Sequence, residues 1–134
     1  IILLGISRTS KTPTSIYLAQ RGFKTTNLPL VPQIPLPPAL TEPHTAFVAC
    51  LIASVDRITE VRRNRALLMS DRDINAYADR TQIAEEIAYS RRICQEHGWP
   101  IIDVTRKSVE ETAATVIQLM NDRRSETQLV ESSV

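Results

Sequence analysis

Short, wholly apolar runs alternate along the chain with longer stretches whose apolar residues recur at helical spacing. Ile1 to Ile6 is such a run, the pattern of a central parallel strand buried on both faces. Residues 11–21 suit a helix with Ile16, Leu18 and Ala19 inward and Gly22 at its end. Pro13 is tolerated only in a first turn, which puts the helix start near Ser10 to Thr12. Residues 24–31 read as a second strand and residues 45–53 as a third. Residues 57–69 suit a helix with Ile58, Val61 and Leu68 inward, and the polar stretch 70–79 reads as a loop. Residues 80–97 give the clearest helix, with Ile83, Ile87 and Cys94 on one stripe and Gly98 ending it. A fourth strand follows at 100–104. A last helix at 108–123 opens on a capping box, Ser108 and Glu111, and turns Val109, Ala113, Val116, Ile117 and Met120 inward. Strands alternating with helices predict an α/β fold, an open, mostly parallel sheet with flanking helices.

Six of the eight prolines fall within 29–43. That stretch is expected to be an irregular, extended loop, because proline blocks both ladder and helix bonds. It is too long for a plain connector and is a candidate guide for a substrate segment. Residues 1–124 read as one domain and the polar stretch 125–134 as a tail expected to fray. An opening in a buried strand, with no Met before it, reads as the C-terminal portion of a longer polypeptide.

Composition narrows the function classes. The chain has 134 residues, 43% hydrophobic and 23% charged, with a net charge of +1. That balance argues against disorder and against a duplex-coating nucleic-acid binder. The opening apolar run is too short to cross a membrane. Residues 1–55 carry four basic side chains and one acidic, against twelve and fourteen in the remainder, which favours an anionic ligand near the N-terminal half. Cys50 and Cys94 lack metal-ligand spacing and read as buried free thiols of a reducing compartment, here the cytoplasm.

The chemistry concentrates in Gly5-Ile6-Ser7-Arg8-Thr9-Ser10-Lys11-Thr12. This stretch nearly matches the phosphate-binding loop G-x-x-x-x-G-K-[ST], with Ser10 at the second glycine. Such a loop wraps an anion with backbone N–H groups, and the following helix N-terminus adds its unpaired donors. Lys11 then reaches a terminal phosphate, and the Thr12 hydroxyl is the candidate ligand for magnesium. Ser10 is the departure, since a positive φ is costly outside glycine. A polar turn whose Ser and Thr residues merely cap the helix is the alternative.

The run Gly5-Ile6-Ser7-Arg8-Thr9-Ser10-Lys11-Thr12-Pro13-Thr14-Ser15-Ile16-Tyr17-Leu18-Ala19 resembles the nucleotide-binding signature of the pyruvate, phosphate dikinase regulatory protein family. Phosphoenolpyruvate synthase regulatory proteins are its bacterial relatives. The resemblance continues through Asn27 to Pro32, Val61 to Arg65 and Ser108 to Ala113, and so covers residues 1 to about 124. Members are about twice this length, which implies that an N-terminal half lies outside this chain. The resemblance implies a bifunctional serine/threonine kinase and phosphorylase. One reaction phosphorylates a threonine of the dikinase, with ADP as donor and AMP as product, and inactivates it. The other removes that phosphate with inorganic phosphate, giving pyrophosphate, and restores it.

On that resemblance Gly5, Ile6, Ser7, Arg8, Thr9, Ser10, Lys11 and Thr12 are expected to hold the β-phosphate of ADP, or inorganic phosphate in the reverse direction. Lys11 and Asp56 are the candidate catalytic residues, and Thr12 the candidate magnesium ligand. Asp56 follows the third strand, where a carboxylate can orient a metal or accept a proton; a helix cap is the alternative. Asp103, after the fourth strand, is a second carboxylate candidate. Arg62 and Arg65 share a helix face and, with Arg63, form either a wall for phosphates or a solvated basic face. Tyr77 either stacks on a base or packs locally, Trp99 reads as core, and His97 as a dipole partner at a helix end. The competing readings are the same activity on phosphoenolpyruvate synthase, a small-molecule kinase, and a nucleotide sensor without catalysis. Nucleotide binding without activity is the further expectation for this chain in isolation.

Overall fold

The computed structural model describes the backbone of residues 1–42, 44–69 and 76–132, and the side chains of 1–42, 44–64 and 80–126. Four strands, β1 (Ile2–Gly5), β2 (Thr26–Pro29), β3 (Val48–Ile52) and β4 (Ile101–Asp103), form one sheet in the order β2-β1-β3-β4. Every pairing is parallel. Five helices connect and flank them: α1 (Lys11–Gln20), α2 (Pro38–Thr41), α3 (Val55–Met69), α4 (Ala76–Glu96) and α5 (Val109–Ser132).

The pleat divides the core in two. Leu3, Ala49, Leu51 and Ile102 point to the face covered by Leu18 of α1 and by Ala113, Val116 and Met120 of α5, with Ile58 and Ile83 in the same cluster. Leu4, Val48, Cys50 and Ile52 point to the other face, where Leu40 of α2 and Cys94 of α4 meet them. β3 is buried along its whole length, as continuous apolar runs in parallel sheets require. Pro29 lies in β2, an edge strand, where a missing ladder donor is tolerated. Cys50 and Cys94 are free, buried thiols. A hydrogen bond from the Cys94 thiol holds the Cys50 pKa down and pushes that of Cys94 up.

Helix ends follow the local sequence. After α1, Phe23 N–H donates to Leu18 O and Gly22 N–H to Ala19 O, at 3.1 and 3.0 Å. Trp99 and Gly98 repeat the pattern on Cys94 and Gln95 after α4. In both cases glycine supplies the left-handed residue that the motif needs. The capping box forms: Glu111 N–H donates to Ser108 Oγ at 3.1 Å, and Ser108 N–H to Glu111 Oε1 at 3.3 Å.

Four expectations are corrected. Ile16 and Ala19 are exposed, and the inward face of α1 is Lys11, Thr14, Ser15 and Leu18. The residue that must turn into the preceding loop is Lys11, and a helix then buries positions three, four and seven further on. α4 begins at Ala76, inside the stretch expected to be a loop, and α5 runs on to Ser132 through the expected tail. The proline-rich stretch carries one turn of helix, α2, which buries Leu40. The side chains of Arg65, Leu68 and Tyr77 lie outside the described residues.

Leu51 is fully buried, whereas Ile16 is 54% exposed. Leu51→Ala is therefore expected to lower the unfolding free energy by about 3 kcal/mol. Ile16→Ala is expected to change it by less than about 0.5 kcal/mol. Urea unfolding of both variants checks the pair.

Candidate functional site

β1 sits between β2 and β3, so the connections leaving β1 and β3 run to opposite sides of the sheet. Parallel sheets place their ligands in the crevice outside the carboxyl ends of such strands. The loop from Ile6 to Ser10 emerges there. Gly5 is required by close approach. A Cβ at that position would lie 2.6 Å from Leu51 O and 2.7 Å from Thr9 Oγ1.

Arg8 and Ser10 both take left-handed backbone, with φ of 68° and 63°. Ser10 thus adopts the conformation that glycine usually supplies, and it makes no side-chain cap to α1. The plain-cap alternative for Ser10 fails on that point. A non-glycine residue in this region costs about 1–2 kcal/mol, and such strain concentrates at functional sites.

The loop closes around Lys11. Its Nζ donates to Ile6 O at 2.6 Å and lies 3.4 Å from Thr9 Oγ1, while Thr9 Oγ1 donates to the same carbonyl at 2.9 Å. Lys11 is 7% exposed. Burial, opposed by Cys50 and reinforced by Arg62, brings its pKa down to about 8.

Arg62 of α3 reaches the loop. Its Nη2 donates to Ser7 Oγ at 2.8 Å and to Ser7 O at 3.4 Å, and its Nη1 pairs with Glu86 of α4 at 3.0 Å. The guanidinium is therefore a clamp between loop and helices, not a solvated charge. Arg63 is exposed on the same helix.

A cleft of about 310 Å³ opens beside the loop, lined by Arg8, Ser10, Lys11, Thr12 and Pro13 on one side. Ala53, Arg57, Val61, Val104, Thr105 and Lys107 line the other. Four of these side chains are cationic and none is a carboxylate, which suits an anion. Thr105 Oγ1 donates to Asp103 Oδ1 at 2.5 Å and accepts from Ser54 N–H at 2.8 Å. The bond joins the end of β3 to the end of β4. Those hydrogen bonds, from the Thr105 side chain and backbone, hold the Asp103 carboxyl below its ordinary range. Asp103 thus positions Thr105.

Asp56 is exposed, pairs with Arg80 at 2.5 Å and is not among the cleft-lining residues. The cap of α3 is Ser54, whose Oγ accepts from Arg57 N–H at 3.1 Å. Thr12 offers one hydroxyl at the cleft. Among the described residues no group of His, Cys, Asp and Glu could hold a metal ion. Magnesium takes carboxylates or substrate phosphates as partners, and none of the cleft-lining side chains is a carboxylate. His97 Nδ1 lies 2.9 Å from Ile93 O, and its ring stacks on half-buried Trp99 at 4.4 Å.

Arg57, Thr105 and Lys107 did not stand out in the sequence. Each follows the carboxyl end of a strand, a positional signal that becomes usable once β3 and β4 are placed at the switch point.

A lysine folded into a strained strand-to-helix loop, at the switch point of a parallel sheet and beside a cationic cleft, defines an α/β protein with a candidate site at its strand ends. The chain belongs to the kinase/pyrophosphorylase family, whose model matches residues 1–117. It is 59% identical over 126 residues to a protein of Bartonella bacilliformis, covering 94% of this chain and 45% of that one. Relatives from a Chelativorans species and from Sphingopyxis alaskensis are 56% and 53% identical over 89% and 93% of this chain, and 44% and 46% of their own lengths. All three carry the name pyruvate, phosphate dikinase regulatory protein. The chain thus spans less than half the length of the curated relatives it matches. Among the described residues no helix is long and apolar enough to cross a membrane.

Ser10→Gly removes a left-handed serine that makes no cap. It is expected to raise the unfolding free energy by about 0.5–1 kcal/mol, measured by denaturant titration.

Proposed function

We propose that the protein containing this chain is a cytoplasmic regulator of pyruvate, phosphate dikinase. It transfers the β-phosphoryl group of ADP to a threonine of that enzyme and removes it again with inorganic phosphate. The observation that carries the reading is the buried Lys11 ammonium, turned into the β1–α1 loop at the sheet's switch point. Family membership and the names of the relatives support it.

In the forward direction the threonine oxygen bonds to the β-phosphorus of ADP. The bond from that phosphorus to the bridging oxygen breaks, AMP leaves, and the hydroxyl proton goes to water. In reverse, an oxygen of inorganic phosphate bonds to the phosphothreonine phosphorus. The bond to the threonine oxygen breaks, that oxygen takes a proton, and pyrophosphate leaves. Both directions move charge between phosphate oxygens, so positioning and neutralisation do most of the catalysis. The loop from Gly5 to Thr12 receives the transferring phosphoryl group, with Lys11 neutralising its charge. Arg62 acts by holding Ser7, and so fixes the loop. Where magnesium rides on the phosphates, Thr12 is its protein ligand. Asp56 belongs to this reading only if its pair with Arg80 opens.

The direct experiment incubates the full-length protein with phosphohistidine-bearing dikinase and labelled ADP, then seeks label on the dikinase threonine by mass spectrometry. Lys11→Met is expected to lower both directions by at least about 100-fold. Full activity of that variant in both directions refutes the role of Lys11. Label on a free metabolite in place of the protein refutes the regulatory reading.

A second test uses the lowered pKa. Below about 8 the Lys11 side chain carries the charge that attracts phosphate, and above it the charge is lost. ADP affinity is therefore expected to weaken between about pH 7 and about pH 9.5, and to flatten in Lys11→Met. Calorimetric titration at a series of pH values checks this; a level wild-type profile contradicts it.

A further inference from the structure

The cleft has more positive charge than one phosphate in the loop accounts for. Arg57 and Lys107 line it from the segments after β3 and β4, together with Lys11 from the segment after β1. Neither is neutralised closely. Arg57 pairs with Glu60 at 3.9 Å, with both side chains more than half exposed, a contact of little strength. Lys107 Nζ donates to a neutral partner, Thr115 Oγ1, at 3.0 Å, and an ammonium has two further protons to give. Asp103 is close enough to Lys107 to feel its field, but its carboxylate accepts its two hydrogen bonds among the described residues from Thr105.

These two cations are also pre-positioned. The bond from Ser54 N–H to Thr105 Oγ1 ties the start of the helix that bears Arg57 to the turn that bears Lys107. Like charges gathered around one cleft repel one another and attract an anion. The tie sets the backbone positions from which the two exposed side chains reach the cleft.

We propose that Arg57 and Lys107 form a second anion subsite, which takes the second phosphate of a diphosphate whose terminal phosphate lies in the β1–α1 loop. This rests on the reading above and extends it. The phosphate next to the transferring group is the α-phosphate of ADP in one direction and the attacking inorganic phosphate in the other. One subsite serves both, because both present the same tetrahedral anion. The same cleft wall then receives either AMP or pyrophosphate's second half, and one set of side chains runs both reactions.

Calorimetric titration with three probes tests this: inorganic pyrophosphate, ADP and inorganic phosphate. Arg57→Gln and Lys107→Gln, both at exposed positions, are each expected to weaken pyrophosphate and ADP about tenfold while changing inorganic phosphate less than about twofold. Thr105→Val, which loosens the brace without removing a charge, is expected to weaken the same two ligands and to spare the third. A loss confined to ADP, or one confined to pyrophosphate, overturns the proposal, because one subsite then does not serve both. Affinities within twofold of wild type for both diphosphates in the double variant overturn the proposal. So does an equal loss for all three probes, which marks a general field and no second position. Lys11→Met separates this from the reading it rests on. Loss of all three ligands in that variant supports the loop as the first subsite, and unchanged binding sinks the loop. A wild-type chain that binds none of the probes overturns both.

Discussion

The 2.6 Å hydrogen bond from Lys11 Nζ to Ile6 O is the contact around which the site is arranged. It returns the first side chain of α1 to the first residue beyond β1, so the intervening residues must close on themselves. Closing so tight a loop forces Arg8 and Ser10 into left-handed backbone. It also brings Thr9 Oγ1 close enough to β1 that only glycine fits at position 5. The same contact fixes the rotation of α1, since the helix must present Lys11 inward and therefore Thr14, Ser15 and Leu18 as well. A polar face against the sheet follows from the loop, and Ser15 keeps its hydroxyl satisfied through Thr25 at 2.8 Å.

The cleft depends on a second tie. β3 and β4 are neighbours, but the segments after them carry functional side chains only if their ends are held at one height. Thr105 does this by accepting from Ser54 N–H while Asp103 fixes its own hydroxyl. Arg62 adds a third tie, from α3 and Glu86 to Ser7. Three loops from three strands are thus held by side-chain bonds across a gap that the sheet's backbone ladder does not bridge.

The fold was legible because its signals are local. Continuous apolar runs marked β1 and β3, and the Ser108–Glu111 box and the glycines after α1 and α4 marked the helix ends. The loop was legible for the same reason, eight adjacent residues with a strand before them and a helix after. What escaped was either long-range or counter to hydrophobicity. Ile16 looked like core, yet Lys11 sets which way α1 faces. Arg57 and Lys107 lie 50 residues apart and meet only through the β3–β4 pairing. Asp56 stood out as a carboxylate after a strand, but one helical position decides whether a side chain faces the cleft, and sequence spacing does not resolve it. The onset of α4 at Ala76 escaped because Ser70, Asp71, Arg72 and Asp73 make the stretch before it polar, and Ala76 to Asp79 is too short by itself to show a helical period.

Strain, desolvation and like-charge crowding all fall on this one loop and cleft. Arg8 and Ser10 are held left-handed, Lys11 is a charge buried against a carbonyl, and Arg57 and Lys107 add unneutralised charge nearby. Each is unfavourable for folding, and local rules of good sequence design are broken mainly where function requires it. An anion in the cleft relieves the last two directly. It supplies countercharge to the gathered cations and gives the Lys11 ammonium a stronger partner than a neutral carbonyl. Backbone strain, a buried lysine and gathered cations thus point to the same ligand chemistry, an inference that rests on the geometry and charge of this chain and stands beside its family membership.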